Sequence, residues 1–159
     1  MLMREVLGGW DLAGIVQAQS GAPFDVRTTV DVAGVGPGSG NQFFNTVGDP
    51  GAVRTEWDPT TNRAIWFDKT AFASPAAGTF ATNFEKDFLR QPGFWELNMS
   101  LRKAFAVGKQ HLDLRLEAFN VLNRRRLGNA VSNPTLADFG LITSLVGNRT
   151  MQVGIQYVF

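Results

Sequence analysis

One stretch in the middle of the chain sharply limits what it can fold into. From Phe94 to Phe105 the residues alternate: Trp95, Leu97, Met99, Leu101, Lys103 and Phe105 fall on one side, and Phe94, Glu96, Asn98, Ser100, Arg102 and Ala104 on the other. Successive side chains of an extended strand point to opposite faces, whereas a helix would scatter these residues around its axis. The stretch is therefore a two-faced strand, and a long one. The ten steps from Trp95 to Phe105, at about 3.3 Å each and tilted near 40°, climb about 25 Å, which is the height of the apolar band of an outer-membrane barrel. Strands of soluble sheets are usually about 5 or 6 residues long.

Three further segments alternate in the same way. The spacing predicts strands near 9–19, 94–105, 111–122 and 149–159. In the third, Leu112, Leu114, Leu116 and Ala118 oppose Asp113, Arg115 and Glu117. In the last, Met151, Val153, Ile155, Tyr157 and Phe159 oppose Thr150, Gln152, Gly154, Gln156 and Val158. The first is less polarised, with Trp10, Leu12, Gly14, Val16 and Ala18 on one face and Asp11, Ala13, Ile15, Gln17 and Gln19 on the other. A fifth strand over Phe139–Thr143, or an early start of the last one, is also expected. Two environments produce such faces. In a soluble sandwich the apolar side meets a core; in a barrel it meets lipid while the polar side meets a wet lumen.

Composition excludes several classes. The 159 residues carry a net charge of +1, which gives no electrostatic reason to expect nucleic acid as a partner. Without cysteine there is neither a disulfide framework nor a thiolate metal site. No apolar run approaches the roughly 20 residues of a transmembrane helix, and the opening MLMREVLGGW lacks the apolar core of a signal peptide.

The connections set an expected topology. AVGKQ, between the second and third strands, is a short turn, while about 28–93 reads as a very long loop and Asn123–Asn148 as a moderately long one. Outer-membrane barrels have short periplasmic turns and long outer loops. With AVGKQ on the periplasmic side, Trp10, Phe105, Tyr157 and Phe159 lie near the inner interface and Trp95 near the outer one, as an aromatic girdle requires.

The final residues, QVGIQYVF, carry a resemblance. Gln152, Gly154, Tyr157 and Phe159 match the C-terminal signal by which barrel-assembly machinery recognises outer-membrane proteins. The segments GGWDLAGIVQAQSGAPFDV, WFDKTAFASPAAGTF, LNMSLRKAF, LDLRLEAFNVLNRRRLGN, FGLIT and NRTMQVGIQYVF resemble, in order, the C-terminal part of TonB-dependent outer-membrane receptors of the Oar-like, carboxypeptidase-regulatory-domain-containing group. The chain departs from that group at Gln91, where glycine is common. The resemblance implies an all-β fold: an antiparallel transmembrane β-barrel segment of about four long strands with long extracellular loops, an incomplete barrel in the cell outer membrane. It further implies uptake of a large nutrient of the siderophore or glycan class. The implied partners are outer-membrane lipid, the assembly machinery, the remaining strands and plug of the receptor, and TonB only through the missing N-terminal part. Four strands alone would leave two edges of unpaired backbone groups in hydrocarbon, each group costing several kcal/mol, so the chain is expected to need completion and not to act alone.

No catalytic, cofactor or metal residues are assigned. The one histidine, His111, opens a strand beside the short turn and reads as interfacial. GVGPGSGN, Gly34 to Asn41, lacks the Gly-Lys-Ser/Thr ending of a phosphate loop and reads as a flexible outer loop. NRRRLGN, Asn123 to Asn129, is a basic run that suits either a solvated loop flank or outer-leaflet lipopolysaccharide phosphates. Asp49, Glu56, Asp58 and Asp68 are scattered oxygen donors without regular calcium-loop spacing. The loop aromatics Trp57, Trp66, Phe67, Phe72 and Phe80 either stack on a ligand or pack the loop on itself. Two function classes remain: part of an importer barrel, or a soluble antiparallel β carbohydrate-binding module. The second needs another sheet to cover the apolar faces.

Overall fold

The computed structural model describes residues 7–37, 40–108 and 110–159. The chain forms two compact units, Met1–Gln19 with Phe94–Arg125 and Gly147–Phe159, and Ser20–Gly93 with Arg126–Val146.

The first unit is one antiparallel sheet of four strands in sequence order: β1 (Trp10–Gln19), β2 (Phe94–Val107), β3 (Gln110–Phe119) and β4 (Thr150–Val158). β2 and β3 are joined through Gly108, whose φ of 68° suits a residue without Cβ. β2 runs two residues past its expected end, to Val107. β3 stops at Phe119 although apolar residues continue to Leu122. The cause is Asn120, which turns left-handed at φ 51° and gives its N–H to the side-chain oxygen of Asn98, 2.8 Å away. Pairing resumes one residue later, where Val121 N–H reaches the Leu97 carbonyl at 2.9 Å.

The register carries the alternation across the whole sheet. Leu12 faces Leu101, Leu101 faces Leu116, and Leu116 faces Val153. A slip by one residue would send every apolar side chain of a strand to the polar face, so the aligned stripes pin the register.

The second unit folds by different means. Its ladders are two residues long: Pro23–Phe24 with Leu89–Arg90, Arg27–Thr28 with Gln42–Phe43, Asn45–Thr46 with Phe72–Ala73, Ala64–Ile65 with Leu141–Ile142, and Arg126–Leu127 with Leu145–Val146. What organises them is a core of Val26, Ala64, Phe67, Ala130, Phe139 and Ile142, with Phe24, Trp57, Trp66 and Phe72 packed against it. Phe67 meets Phe139 and Phe72 edge-on, with centroids 5.2 and 5.6 Å apart, the preferred geometry of aromatic quadrupoles. Gly140 is required there. Its φ is 83°, and a Cβ would lie 2.9 Å from the Phe67 carbonyl oxygen.

The stretch expected as a long loop from about 28 to 93 packs on itself, because its scattered aromatics find one another. Of the two readings of Phe139–Thr143, the separate strand is the one formed, two residues long: Leu141 and Ile142 pair with Ile65 and Ala64 and do not begin β4.

Candidate functional site

The sheet presents two contrasting faces. On one, Leu12, Val153 and Ile155 are 68, 67 and 72 % exposed, with Val16, Leu114, Leu116 and Met151 also open. So many large apolar side chains open on one face of a sheet mark a surface that meets something other than water. The strand lengths match the apolar band of a bilayer.

Aromatic rings mark the ends of that face. Tyr157 and Phe159 lie 6.4 Å apart, and the Tyr157 hydroxyl donates to the Gln110 side-chain oxygen. Trp10 and Phe105 flank the single cation of the stripe, Lys103, whose Nζ sits 5.1 and 5.2 Å from their centroids. Lys103 is 2 % exposed and donates to the Gly8 carbonyl. A charge on a lipid-facing strand is tolerated near the interface where its head group is capped this way. Trp95, at the opposite end, carries the Arg124 guanidinium 4.6 Å above its ring.

The other face is polar and cross-linked. Arg102 stands directly opposite Arg115, a like-charge pair that by itself destabilises a sheet. Carboxylates resolve it. Asp113 accepts from Arg102 Nη2 at 2.6 Å, Asp11 approaches Arg102 Nη1 at 3.7 Å, and Glu117 lies 3.5 Å from Arg115 Nη1. Gln152 Nε2 donates to the other Glu117 oxygen, so the row reaches from β1 to β4. Sequence reasoning placed these residues on one face without pairing them. The signal was present, because folding the hairpin about the short turn sets Arg102 diagonal to Asp113.

The four residues expected to form an assembly signal take up different places. Gln152 ties β4 to Glu117, and Tyr157 ties it to Gln110. Phe159 is almost wholly exposed beyond β4. Gly154 is not demanded by the sheet: an added Cβ would meet only Arg115 Cβ, at an ordinary 3.9 Å.

The loop aromatics lie in the second unit. Phe67, expected among possible ligand contacts, is instead its most enclosed ring at 2 % exposure, because it is the hub onto which Phe24, Phe72 and Phe139 pack. Trp66 is half-buried, donating Nε1–H to the Arg90 carbonyl at 2.7 Å under the Arg54 guanidinium. Trp57 and Phe72 are partly buried against the core, while Phe80 is open.

Three of the four scattered acids serve turns. Asp49 accepts from Gly51 N–H, Asp58 from Thr60 N–H and the Thr61 hydroxyl, and Asp68 from Thr70 N–H and its hydroxyl. The Thr60 amide, then the Thr61 hydroxyl, hold Asp58 below the usual carboxylate range; for Asp68 the Thr70 hydroxyl leads and its amide follows. Among the described residues no three metal-ligating side chains converge. Within GVGPGSGN, Gly38 and Ser39 lie outside the described residues; Gly34 and Gly36 give their N–H groups to Asp31, 2.8 Å each. Gln91, the departure noted above, uses its side-chain oxygen to accept from Ala130 N–H at 2.7 Å.

Long strands, an outward apolar band, rings and a capped cation at its ends and a charged opposite face define a transmembrane β-barrel sheet of the outer-membrane class. The barrel is unclosed, since β1 and β4 each keep a free edge among the described residues. A family model described as "Outer membrane beta barrel domain" matches residues 1–152, and the chain belongs to that family, which places it in the outer membrane. No curated protein and no solved structure matches it.

Proposed function

We propose that this chain supplies the C-terminal strands of a TonB-dependent receptor barrel and contributes to uptake of a large nutrient of the siderophore or glycan class. The observation that carries this reading is the pair of unpaired edges on a sheet whose faces already suit lipid and lumen. Each edge strand offers a row of backbone groups that hydrocarbon cannot satisfy. Further strands complete it, a plug fills the lumen, and TonB supplies energy through an N-terminal portion. The barrel-assembly machinery reads Gln152, Gly154, Tyr157 and Phe159. Loop lengths orient the sheet, with Gly108 toward the periplasm and the long excursions outside. A soluble carbohydrate-binding module is disfavoured, because it would need a cover for the exposed apolar face. No enzymatic step is part of this proposal.

The test is a chimera. Residues 9–159 replace the last four strands of a characterised TonB-dependent receptor, and ligand uptake is measured with and without TonB. TonB-dependent uptake, lost when Phe159 is deleted, is the expected result. A chimera that assembles to wild-type level, displays heat-modifiable migration and still transports nothing would overturn the receptor assignment while leaving the barrel intact.

A further inference from the structure

We propose that Arg124 and Arg149 form a phosphate-binding site for outer-leaflet lipid, of the lipid A type, at the rim of the lipid-facing side of the sheet; its assignment to the outer leaflet rests on the orientation proposed above.

Trp95 belongs to the lipid-facing stripe with Leu97 and Met99, and the Arg124 guanidinium lies over its ring at 4.6 Å. Arg149 directly precedes β4, its N–H bonded to Asn123 and its Nη1 to the Val121 carbonyl, at the same end of the sheet. Arg124 thus stands on the lipid side at the height of an interfacial tryptophan, with Arg149 at the same rim, where head-group phosphates lie.

The segments bearing them are held together by two asparagines. Asn120, 4 % exposed, donates Nδ2 to the carbonyls of Arg124, at 3.0 Å, and Gly147, while its Oδ1 accepts from Arg124 N–H at 3.0 Å. Asn123 Oδ1 accepts from Arg149 N–H at 3.2 Å. Both asparagines are left-handed, at φ 51° and 50°, a conformation adopted because the side chain can bond its own surroundings. The arginine backbones are therefore fixed before any ligand arrives.

Charge balance points the same way. Arg27, Arg63, Arg102 and Arg115 each have a carboxylate partner. Among the described residues no ion-pairing carboxylate serves Arg124, Arg125 or Arg149. Arg149 makes one long side-chain bond, to the Val121 carbonyl at 3.4 Å, and most of its donors remain for a ligand. Guanidinium forks match phosphate oxygens in bidentate geometry, and a ring beneath one fork orients it.

The test uses flotation of the full chain with phosphatidylcholine vesicles containing bisphosphorylated lipid A, dephosphorylated lipid A, or phosphatidylglycerol at matched charge. Binding should be strongest on the first. Arg124→Gln and Arg149→Gln should each lower it roughly fivefold, Arg124→Lys less, and Arg115→Gln on the opposite face not at all. Equal binding to the first two vesicles overturns the proposal. Equal binding to the first and third reduces it to general attraction for anionic surfaces, and displacement by millimolar inorganic phosphate reduces it to an ion site; either overturns the lipid assignment. Orientation is read separately. The chain lacks cysteine, so Arg125→Cys, in the chimera described above built on a cysteine-free host receptor, gives a unique thiol for an impermeant maleimide on intact cells. Labelling supports the outer position; a thiol labelled only after lysis overturns the orientation while the vesicle results still report on the phosphate site.

Discussion

The two units of this chain use hydrophobic residues in opposite ways. The sheet turns Leu12, Leu116, Val153 and Ile155 outward and keeps its charges, the capped Lys103 excepted, on the other face, whereas the second unit gathers Phe67, Phe139 and Ile142 inward around ladders of two residues. Long hydrogen-bonded strands hold the first together without a core, and a core holds the second together almost without strands. The difference shows that burial and backbone pairing are separable sources of order. A membrane strand leaves the first to lipid, and a packed excursion leans on it heavily.

That contrast can be broken at its strongest point by Phe67→Ala. Truncating a buried aromatic typically costs about 3–5 kcal/mol, and hydrogen exchange should rise across 20–93 and 126–146 while the sheet keeps its protection. Equal loosening of both units would mean that they are one cooperative body. The complementary change, Leu116→Arg, places a cation on the lipid face near mid-strand. A penalty of about 2–4 kcal/mol is expected in bilayer-folded protein, with Gln156→Arg on the polar face near neutral; urea titration of the chimera compares them. Asn120→Ala removes three side-chain bonds between the segments it joins, and about 1–3 kcal/mol should follow for stranded buried groups. Smaller still is Gly154→Ala. The sheet has room for the methyl, so folded stability should hold while assembly into the outer membrane slows; an unchanged assembly rate would show that Gly154 is not read.

The mildest effect is one of pH. Asp58 and Asp68 have lowered pKa values in the folded chain. A lowered value contributes stability above the unfolded pKa of about 3.9 and loses it as pH falls through the folded value. Asp68→Asn should therefore weaken the second unit slightly at pH 7, and the gap from the parent should close below about pH 4. A gap that persisted at low pH would assign the effect to shape rather than charge.

What the sequence made legible follows the same division. Period-two alternation is local, so β1 to β4 could be located residue by residue, and the matching of faces then implied their pairing. Strand ends were less visible. Val121 and Leu122 extend the apolar run beyond Phe119, and nothing local announces that Asn120 turns left-handed to serve Gly147 and Arg124. The second unit was nearly invisible, because Ala64–Ile65 finds its partner at Leu141–Ile142 and a two-residue ladder has no period. Phe67 was noticed as an aromatic, yet only packing distinguishes a hub from a contact surface. Of the candidate sites, the terminal signal and the basic run were visible as strings, while the asparagines that fix the arginine segments needed the fold.

The base of the second unit has a consequence for how the chain assembles. Ala22 accepts from Gln91 N–H at 2.9 Å, Pro23–Phe24 pairs with Leu89–Arg90, and Gly21 lies so near the Gln91 carbonyl that a Cβ would stand 1.5 Å from its oxygen. The excursion therefore leaves and returns side by side. Loop-closure entropy grows as the logarithm of length, so bringing β1 to β2 through a floppy segment on the order of 70 residues costs about 2–3 kcal/mol more than through a turn of about four. Once the excursion is pinched at its neck, the search is between strands that are already neighbours. Kinetically the longest connection in the molecule becomes a tight turn, and the hairpin it joins can zip almost as readily as the one closed by Gly108.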